Sequence, residues 1–572
     1  MQDDDQSSGG PKGLSRGLTN YGDKDFSLYL RRSFAKSMGY SDEMLARPIV
    51  GIINTASGYN NCHRGLPELV AAVKRGVLAQ GGLPIDFPTI SLGEVFLNPT
   101  SLMFRNLMAM DTEEMIRAQP MDAVVMVGGC DKTVPAQLMG AASADLPTIQ
   151  LIAGPMMTGR YEGERLGACT DCRRFWADFR AGRVNSDQIG RIEGNLATTF
   201  GTCAVMGTAS TMACIAETLG MTLPGTAAIP AVHADRLRAG EATGAQALET
   251  ARLGLTPSKL ITENSVENAL RVLLALGGST NGILHLTAIA GRRGIPISLR
   301  RLNELSDTTP VLVNLKPTGV GYMEDFHAAG AMGTLLRDLA PLLHMDCLSV
   351  TGESLGDRLK AAPGHVDRTI IRSREEPFEA VGGLVALYGN LAPDGAILKR
   401  SAADPAMFEH TGRAVVFSSL EDLADRIDSD DLDVKADDIL VLQNAGPKSP
   451  SGMPEAGYIP IPKKLAQAGV KDMVRISDCR MSGTAFGTIV LHVTPEAAIG
   501  GAIGLVENGD EISLSISNKS LELHVNNDEL ERRRQASVSQ QARPSRGYAK
   551  LYADHVTQAD QGADFDFLMA TD

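Results

Sequence analysis

Short apolar runs alternate with helical patterns from about residue 47 onward. Four of these runs contain few polar positions and predict buried strands, at 49–53, 87–92, 122–127 and 148–153. The first run is followed by a helical pattern with one apolar face, made of Leu66, Leu69, Val70, Val73 and Val77. Gly81 and Gly82 are expected to end that helix. Strands that alternate with helices predict an α/β layer structure with a mostly parallel sheet.

The pattern changes at a polar segment, residues 361–380, which predicts a domain boundary. Beyond it, residues 512–516 and 521–525 alternate with period two around the turn SNKS, which is typical of a β-hairpin. Further strands are predicted at 439–443 and 472–476. We therefore expect three parts along the chain: a disordered leader at 1–20, an α/β domain at 21–375 and a β-rich, barrel-like domain at 376–572.

Composition narrows the class of protein. The 572 residues exceed the size at which a single core usually stops growing, and the formal net charge of −14 disfavours nucleic acids and anionic membranes as partners. The sequence has no apolar run of membrane-spanning length, and its first residues lack the features of a signal peptide. Eight cysteines are too few for a disulfide scaffold in a chain of this size, so we expect a reducing, cytoplasmic location.

Three cysteines share one kind of setting. Cys62, Cys130 and Cys203 each follow Gly or Asn turn residues and precede a helix-like segment, a position where α/β folds build their sites. Three converging thiolates could hold a soft metal or an iron–sulfur cluster with one open position. The alternative is that all three are unrelated core residues. Cys169 and Cys172 form the single CxxC pair, which by itself indicates zinc or redox chemistry only weakly.

Oxygen ligands also occur in turn contexts. Glu94 lies in SLGEVF, Asp131 in CDK and Glu455 in GMPEAG, and carboxylates on loops suit Mg²⁺, although a single carboxylate in such a turn is more often a solvated loop residue. Ser482 and Thr484 lie among glycines in DCRMSGTAFG. Their hydroxyls could serve a site or simply bond to their own backbone.

Several separate motifs, in order, resemble one enzyme family. They are CDKTVPAQLMGA, GTCAVMGTASTMA, GGSTN, NAGPK with SGMPE, and RISDCRMSGTAFGTIVLHVTPEAA. Together they resemble the dihydroxy-acid and sugar-acid dehydratases, and most closely the members that act on pentonates. The similarity extends from about residue 45 to the C-terminus.

The resemblance implies two metal centres. An iron–sulfur cluster, [2Fe–2S] as in the pentonate-type enzymes, with [4Fe–4S] also possible, would be held by Cys62, Cys130 and Cys203. Mg²⁺ would be held by Glu94, Asp131, Glu455 and a carbamylated Lys132. Ser482 matches the residue proposed as the catalytic base in the family. The adjacent thiol, carboxylate and amine of the CDK turn would then all be explained by metal binding.

The activity implied is that of a hydro-lyase, which converts a 2,3-dihydroxy carboxylate, such as an aldonate, to a 2-keto-3-deoxy acid. Thr170, Asp171 and Thr484 are candidate substrate contacts, and residues 167–176 differ from pentonate-type relatives, so the substrate stays open. One alternative is the branched-chain pathway enzyme that acts on 2,3-dihydroxy-3-methyl acids. Alternatives from other classes are a zinc hydrolase and an electron-transfer iron–sulfur protein. The family also implies a homodimer or homotetramer.

Overall fold

The computed structural model describes residues 12–360, 364–536 and 544–570. Its first sheet has four parallel strands in the order β2-β1-β3-β4, namely β1 (Ile49–Asn54), β2 (Leu83–Pro88), β3 (Ala123–Gly128) and β4 (Thr148–Ile152). All but a few of their residues are buried, as expected for a parallel sheet covered on both faces. A separate hairpin, β5 (Gly159–Tyr161) and β6 (Glu164–Leu166), follows. The predicted α/β domain with a parallel sheet is confirmed.

Helices surround this sheet. The longer ones are Lys24–Ser37, Leu66–Ala79, Ser101–Ala118, Thr133–Ala144, Thr170–Arg180, Ser186–Leu196, Thr208–Thr218, Ala234–Arg252, Glu263–Ala275, Thr280–Gly291 and Leu299–Thr308. Shorter ones are Asp42–Leu45, Pro257–Leu260, Met323–Ala328, Ala331–Leu339 and Leu355–Arg358. Leu66–Ala79 and Ala234–Arg252 pack closely because glycines face the partner backbone: a Cβ on Gly76 would lie 1.9 Å from the carbonyl oxygen of Glu241.

The second domain is an eight-stranded sheet in the order β14-β13-β9-β10-β11-β12-β8-β7. Its strands are β7 (Val385–Leu387), β8 (Gly395–Leu398), β9 (Glu409–Phe417), β10 (Ile439–Leu442), β11 (Arg475–Ser477), β12 (Ile489–Thr494), β13 (Glu511–Ser515) and β14 (Ser520–Leu523). Strands β9 to β12 are parallel and the outer ones antiparallel. Tyr388, next to β7, pairs with Ser520 of β14, so the sheet nearly closes. The predicted barrel-like domain and its hairpin are confirmed.

Three local predictions need correction. The second strand lies at 83–88, not 87–92, because its register follows β1, which ends at Asn54 opposite Pro88. The strand predicted at 472–476 lies at Arg475–Ser477. Asp472 is outside it, and its carboxylate accepts hydrogen bonds from the side chains of Thr488 and Arg475. Residues 12–20 of the predicted leader are not disordered: Leu14 joins the core, and the backbone N–H of Gly13 donates to Asp122. Residues 1–11 lie outside the described residues.

The C-terminal tail ties the two domains together. Its helix Gly547–His555 and the turns after it pack on residues of both domains, including Leu102 and Met453. Asp564 forms a fully buried ion pair with Arg292, with 2.6 Å between Oδ2 and Nε. Shorter helices of the second domain are Leu420–Arg426, Lys463–Gln467 and Asn527–Ala536. Over the described ranges, no helix combines the length and apolar character needed to cross a membrane.

Candidate active site

A buried histidine joins the first two cysteine loops. His63 follows Cys62 in a short 3₁₀ turn after β1, and its Nε2 accepts a hydrogen bond of 3.0 Å from the backbone N–H of Gly129, next to Cys130. Its Nδ1 lies 2.8 Å from the carbonyl oxygen of Thr55, which fixes the ring as a neutral donor and acceptor. Burial lowers the His63 pKa to about 4, so the ring stays neutral at physiological pH. His63 thereby holds Cys62 and Cys130 side by side.

The third cysteine loop is attached to the strand edge. The backbone N–H of Thr202 donates to Gly154 just beyond β4, and the Thr202 carbonyl accepts from Met156. A Cβ on Gly129 would lie 3.1 Å from Cγ2 of Thr202, so the Cys130 and Cys203 loops touch. The three loops therefore meet at the carboxyl ends of β1, β3 and β4, where open α/β sheets place their sites.

The thiols interact with one another across these loops. Cys62 is hydrogen-bonded to Cys130, and this contact, together with burial and the charge of Asp131, raises the pKa of the Cys62 thiol. Cys203 lies 3.7 Å (Sγ to Sγ) from Cys169, which also contacts Cys172. Cys172 and Cys203 as hydrogen-bond partners hold the Cys169 pKa well below its usual range. The sulfur-rich region thus contains five cysteines rather than the three predicted.

Cys130 has an unusual backbone. Its φ of 40° lies in the left-handed region, which residues with a Cβ adopt at a cost. Cys130 contacts Cys62 of the sulfur-rich region, and the next residue, Asp131, belongs to the carboxylate cluster. Strain of this kind is typical of sites whose geometry is fixed by function.

Three carboxylates form a compact oxygen cluster. Glu94, Asp131 and Glu455 each present one oxygen within 4.8 Å of the others, and this is the single set of its kind found among His, Cys, Asp and Glu of the described residues. The first two come from loops after β2 and β3, and Glu455 comes from the second domain. The predicted magnesium ligands are therefore adjacent in space despite a separation of several hundred residues in sequence.

Two cations balance this negative charge. The Nζ of Lys132 lies 3.2 Å from Oε2 of Glu94 and 3.9 Å from Oδ2 of Asp131. The guanidinium of Arg480, fully buried, donates to Glu94 at 3.0 Å and to Glu455 at 2.7 Å, and also to Thr100 at 2.8 Å. Arg480 therefore connects the two domains at the carboxylate cluster.

The pKa values of the carboxylates diverge. Burial would raise the Glu94 pKa, but Lys132 and Arg480 outweigh it and hold that pKa well below its usual range. Burial, with Glu455 and Glu94 as like charges, raises the pKa of Asp131 to about 7 against the opposing effect of Lys132 and Arg480. Burial and Glu94 also raise the pKa of Glu455. A divalent cation would relieve this repulsion and keep all three ionised.

Replacement of Arg480 tests this balance. We expect Arg480→Met to lower the free energy of unfolding of the metal-free protein by about 3–5 kcal/mol, because Glu94 and Glu455 lose their buried partner. Urea denaturation followed by circular dichroism measures the change, and added Mg²⁺ should recover part of it. Arg236→Met serves as control, since this buried arginine contacts carbonyl oxygens and pairs with no carboxylate of the described residues. An Arg480→Met loss below about 1 kcal/mol would contradict the ion-pair account.

Ser482 lies on a turn that is wedged between helix N-termini. Its Oγ is 2.8 Å from Oγ1 of Thr484 and accepts from the Thr484 N–H at 3.4 Å. A Cβ on Gly483 would lie 2.5 Å from Oγ of Ser279, so only glycine fits between these elements. Asn281 also donates to the carbonyl oxygen of Met481. The Ser482 hydroxyl is buried, fixed in place, and two residues from Arg480 of the carboxylate cluster.

The other predicted substrate contacts have internal partners. Thr170 donates through Oγ1 to the carbonyl oxygen of Thr484 at 2.9 Å. The Asp171 carboxylate, fully buried, binds Lys316 at 2.8 Å and accepts from Tyr322 and from the backbone of Gly167. Asp171 therefore anchors the loop that carries Cys169 and has no oxygen without a protein partner. Thr170 links this loop to the Ser482 turn.

Sequence reasoning missed Arg480, His63 and the proximity of Cys169 to Cys203. Arg480 stands inside the quoted segment DCRMSG, and a long cation two residues before Ser482 was the available signal. His63 directly follows Cys62, but a lone histidine gives no indication of its partner. The contact between Cys169 and Cys203 depends on tertiary packing and has no signal in spacing.

The fold and the site define an enzyme with a sulfur-rich and a carboxylate-rich centre side by side between an α/β and a barrel-like domain. The chain matches the dihydroxy-acid/6-phosphogluconate dehydratase family over both domains, the N-terminal one at 47–358 and the C-terminal one at 369–563. It belongs to this family and is a dehydratase, a hydro-lyase.

Relatives named for their activities match nearly the whole chain. A 6-deoxy-6-sulfo-D-gluconate dehydratase of Pseudomonas putida is 45% identical over 92% of each chain. An L-arabonate dehydratase of Azospirillum brasilense is 46% identical over 96% of each. A dihydroxy-acid dehydratase of Desulfosudis oleivorans is 39% identical over 93% of this chain and 97% of its own.

Proposed function

We propose that this protein dehydrates a sugar acid, a 2,3-dihydroxy carboxylate, to a 2-keto-3-deoxy acid with the help of an iron–sulfur cluster and Mg²⁺. The observation that carries the proposal is the carboxylate cluster of Glu94, Asp131 and Glu455 beside the thiols of Cys62, Cys130 and Cys203. Higher identity to sugar-acid dehydratases than to a dihydroxy-acid dehydratase supports the substrate class over the branched-chain alternative.

The oxygen donors fit a hard divalent cation. Carboxylate oxygens are the ligands that Mg²⁺ prefers, and the three here lie close enough to share one ion. Lys132 stands against Glu94 and Asp131 as a buried ammonium. Carbamylation would convert it into a fourth oxygen ligand and would replace a repelled cation by an anion beside the metal. The donor set thus supports Mg²⁺ with a carbamylated Lys132.

The sulfur donors fit a cluster better than a single zinc ion. Zinc bound by three thiolates at about 2.3 Å would require every pair of sulfurs within about 4 Å. Among the described cysteines, no three sulfur atoms lie within 4.8 Å of one another. Cys203 is nevertheless close to the other ligands, because its hydrogen bond with Cys169, burial and the charges of Asp131 and Cys62 raise the pKa of its thiol. A cluster spreads its ligands over two or more irons, so this arrangement favours it and disfavours the zinc hydrolase.

When bound, the two centres supply Lewis-acid chemistry that stabilises the enolate-like charge and the departing 3-hydroxyl. The chain provides the rest of the mechanism. The Ser482 hydroxyl would first release its own proton, which a neighbouring divalent cation favours by lowering the hydroxyl's pKa, and the resulting alkoxide would take the proton from C2. Thr484 Oγ1, 2.8 Å away, holds the Ser482 oxygen in place. Thr170 and Asn281 fix the turn that carries Ser482. Burial of these groups between two domains excludes water from the reacting atoms.

A substrate panel tests the proposal. The anaerobically purified protein should be brown and should form 2-keto acid from five- or six-carbon sugar acids when Mg²⁺ is present. Chelation of Mg²⁺ should abolish turnover and leave the colour. Faster turnover of 2,3-dihydroxy-3-methyl acids would favour the branched-chain enzyme. A coloured protein inert to every acid would favour electron transfer, and a colourless zinc protein would overturn the assignment.

We also propose a cytoplasmic location and a homo-oligomeric assembly. All eight cysteines are unpaired, which suits a reducing cytoplasm. Helix Lys24–Ser37 exposes aromatic side chains, among them Phe26, Tyr29 and Phe34, on one part of the surface. Exposed apolar surface of this kind commonly marks an interface between subunits, so we propose a homodimer or homotetramer. Light scattering after gel filtration would contradict it by giving the monomer mass of 60.7 kDa.

A further inference from the structure

A fourth cysteine lies against one of the three proposed cluster ligands. The Sγ of Cys169 is 3.7 Å from the Sγ of Cys203, although the two residues are 34 positions apart in sequence. Cys62 and Cys130 form a second hydrogen-bonded pair of thiols, and the charge of Cys169 also acts on Cys62. The sulfur-rich region therefore contains two neighbouring pairs of thiols.

The spacing of Cys169 and Cys203 suits a single iron. A tetrahedral metal with metal–sulfur bonds of about 2.3 Å holds two thiolates about 3.8 Å apart. The 3.7 Å between these two sulfurs matches that separation. Two thiolates on each of two irons form the ligand set of a [2Fe–2S] cluster that is coordinated by cysteine alone. Two thiols in simple contact have a similar spacing, so the way in which Cys169 is held decides between the two interpretations.

The loops of Cys169 and Cys203 are joined through their backbones. The N–H of Ala204, which follows Cys203, donates at 3.1 Å to the carbonyl oxygen of Ala168, which precedes Cys169. Both cysteines also pack against one small apolar core, to which Ala168 and Ala204 themselves belong. The relative position of the two thiols is therefore set by main-chain and core contacts.

The residues that follow Cys169 are fixed as well. Thr170 donates at 2.9 Å to the carbonyl oxygen of Thr484 in the second domain, and the buried Asp171 carboxylate binds Lys316 at 2.8 Å. A metal ligand has to be held within about 0.5 Å of its productive position by packing and by supporting hydrogen bonds. The loop that carries Cys169 has this support on both sides of the thiol.

Cys172 differs from Cys169 in its contacts. It interacts with Cys169, and both line a pocket of about 760 Å³. Among the described residues, however, no hydrogen bond joins Cys172 to Cys203. Cys172 is therefore not paired with a proposed cluster ligand. It is a partner to which the Cys169 sulfur can turn when another ligand takes its position.

We propose that Cys169 is the fourth thiolate ligand of the cluster in the substrate-free enzyme, where it shares one iron with Cys203. The proposed dehydration needs that position for the 3-hydroxyl of the substrate, so a sugar acid has to displace Cys169 before it reacts. The displacement exchanges one ligand for another and transfers no electron: the Cys169 sulfur leaves as a thiolate and stays beside the thiol of Cys172. This inference rests on the proposed function, because the cluster belongs to it.

Mössbauer spectra of the oxidised, anaerobically purified holoenzyme test the assignment. In the substrate-free wild-type protein each iron has two cysteine ligands, so a single quadrupole doublet is expected. Cys169→Ala replaces one sulfur by water and should split the signal into two doublets of equal area. Iron content should stay unchanged, because three thiolates remain, whereas loss of iron to a chelator should become about tenfold faster. Wild-type enzyme frozen during turnover of a sugar acid should show the same splitting.

Cys172→Ala is the matched control, because Cys172 lies in the same loop and lines the same pocket without a bond to Cys203. It should keep the wild-type doublet and rate of iron loss. The inference is overturned if substrate-free wild-type enzyme already shows two doublets, if Cys169→Ala keeps one, or if substrate leaves the wild-type signal unchanged. Equal splitting in Cys172→Ala would also overturn it, since a disturbed loop would then explain the change. Wild-type protein without iron would refute the proposed function, and this inference with it.

Discussion

Cys130→Ser is expected to yield a protein without visible colour and with less than about 1% of wild-type turnover. Cys130 lies at the junction of the two proposed centres, in contact with Cys62 on one side and adjacent to Asp131 on the other. A serine hydroxyl is a poor ligand for iron compared with a thiolate, so the cluster should be lost. Iron analysis and the visible spectrum of anaerobically purified protein measure the loss independently of activity.

Cys347→Ser is the matched control for this substitution. Cys347 is also buried, and its thiol accepts from Asn268 Nδ2 at 3.5 Å, a contact that serine can reproduce. It should retain full colour and turnover. If Cys130→Ser keeps its iron content and spectrum, Cys130 is not a cluster ligand, and the assignment of the sulfur-rich centre fails.

Ser482→Ala is expected to lower kcat by about 10²- to 10⁴-fold while the visible spectrum and iron content stay unchanged. The Ser482 oxygen, as an alkoxide, is the proposed acceptor of the C2 proton, and its hydrogen bonds to described residues are with Thr484 in its own turn. Its removal leaves the cysteines and carboxylates intact. KM should change little, because in the proposed function the metal centres, and not Ser482, hold the substrate.

Ser349→Ala provides an unusually close control. Ser349 is buried and stands two residues before Thr351, with the same 2.8 Å between hydroxyl oxygens and a backbone N–H bond of 3.3 Å back to its Oγ. It lies outside the site, so kcat should stay within about threefold of wild type. Near-normal kcat for Ser482→Ala would show that another group removes the proton.

The architecture could largely be predicted from the sequence, because buried parallel strands have a strong local signature. Runs such as DAVVMV are apolar throughout, and the hairpin at 511–523 alternates with period two around its turn. Strand ends were less predictable. The second strand lies at 83–88 because it pairs in register with β1, and an apolar run by itself contains no information about that partner.

Those site residues that lie in a recognisable turn after a predicted strand could be identified from the sequence. Cys62, Cys130, Glu94 and Asp131 all follow strand ends, and the structure brings them to one edge of the sheet. The groups that position them were not predictable, since Arg480 meets Glu94 only when the second domain docks on the first. Contacts that depend on domain packing have no periodicity for a sequence pattern to reveal.

Asp171 shows why sequence context does not reveal whether a carboxylate near the site is free to contact a substrate. As a carboxylate in a loop near the site, it was a reasonable candidate for substrate contact. In the structure Lys316, Tyr322 and Gly167 occupy its oxygens, whereas Nε of the neighbouring Arg173 has no hydrogen-bond partner among the described residues. Whether a charged side chain is available to a ligand depends on its partners, and partners are a property of the tertiary structure.

The account depends most on iron held by thiols next to a magnesium ion held by carboxylates. The direct test is an anomalous difference map at the iron absorption edge, from crystals of anaerobically purified holoenzyme. We expect iron peaks among Cys62, Cys130 and Cys203, and a lighter ion without anomalous signal among Glu94, Asp131 and Glu455. A map without iron at the thiols, or with a zinc-edge peak there, would contradict the account.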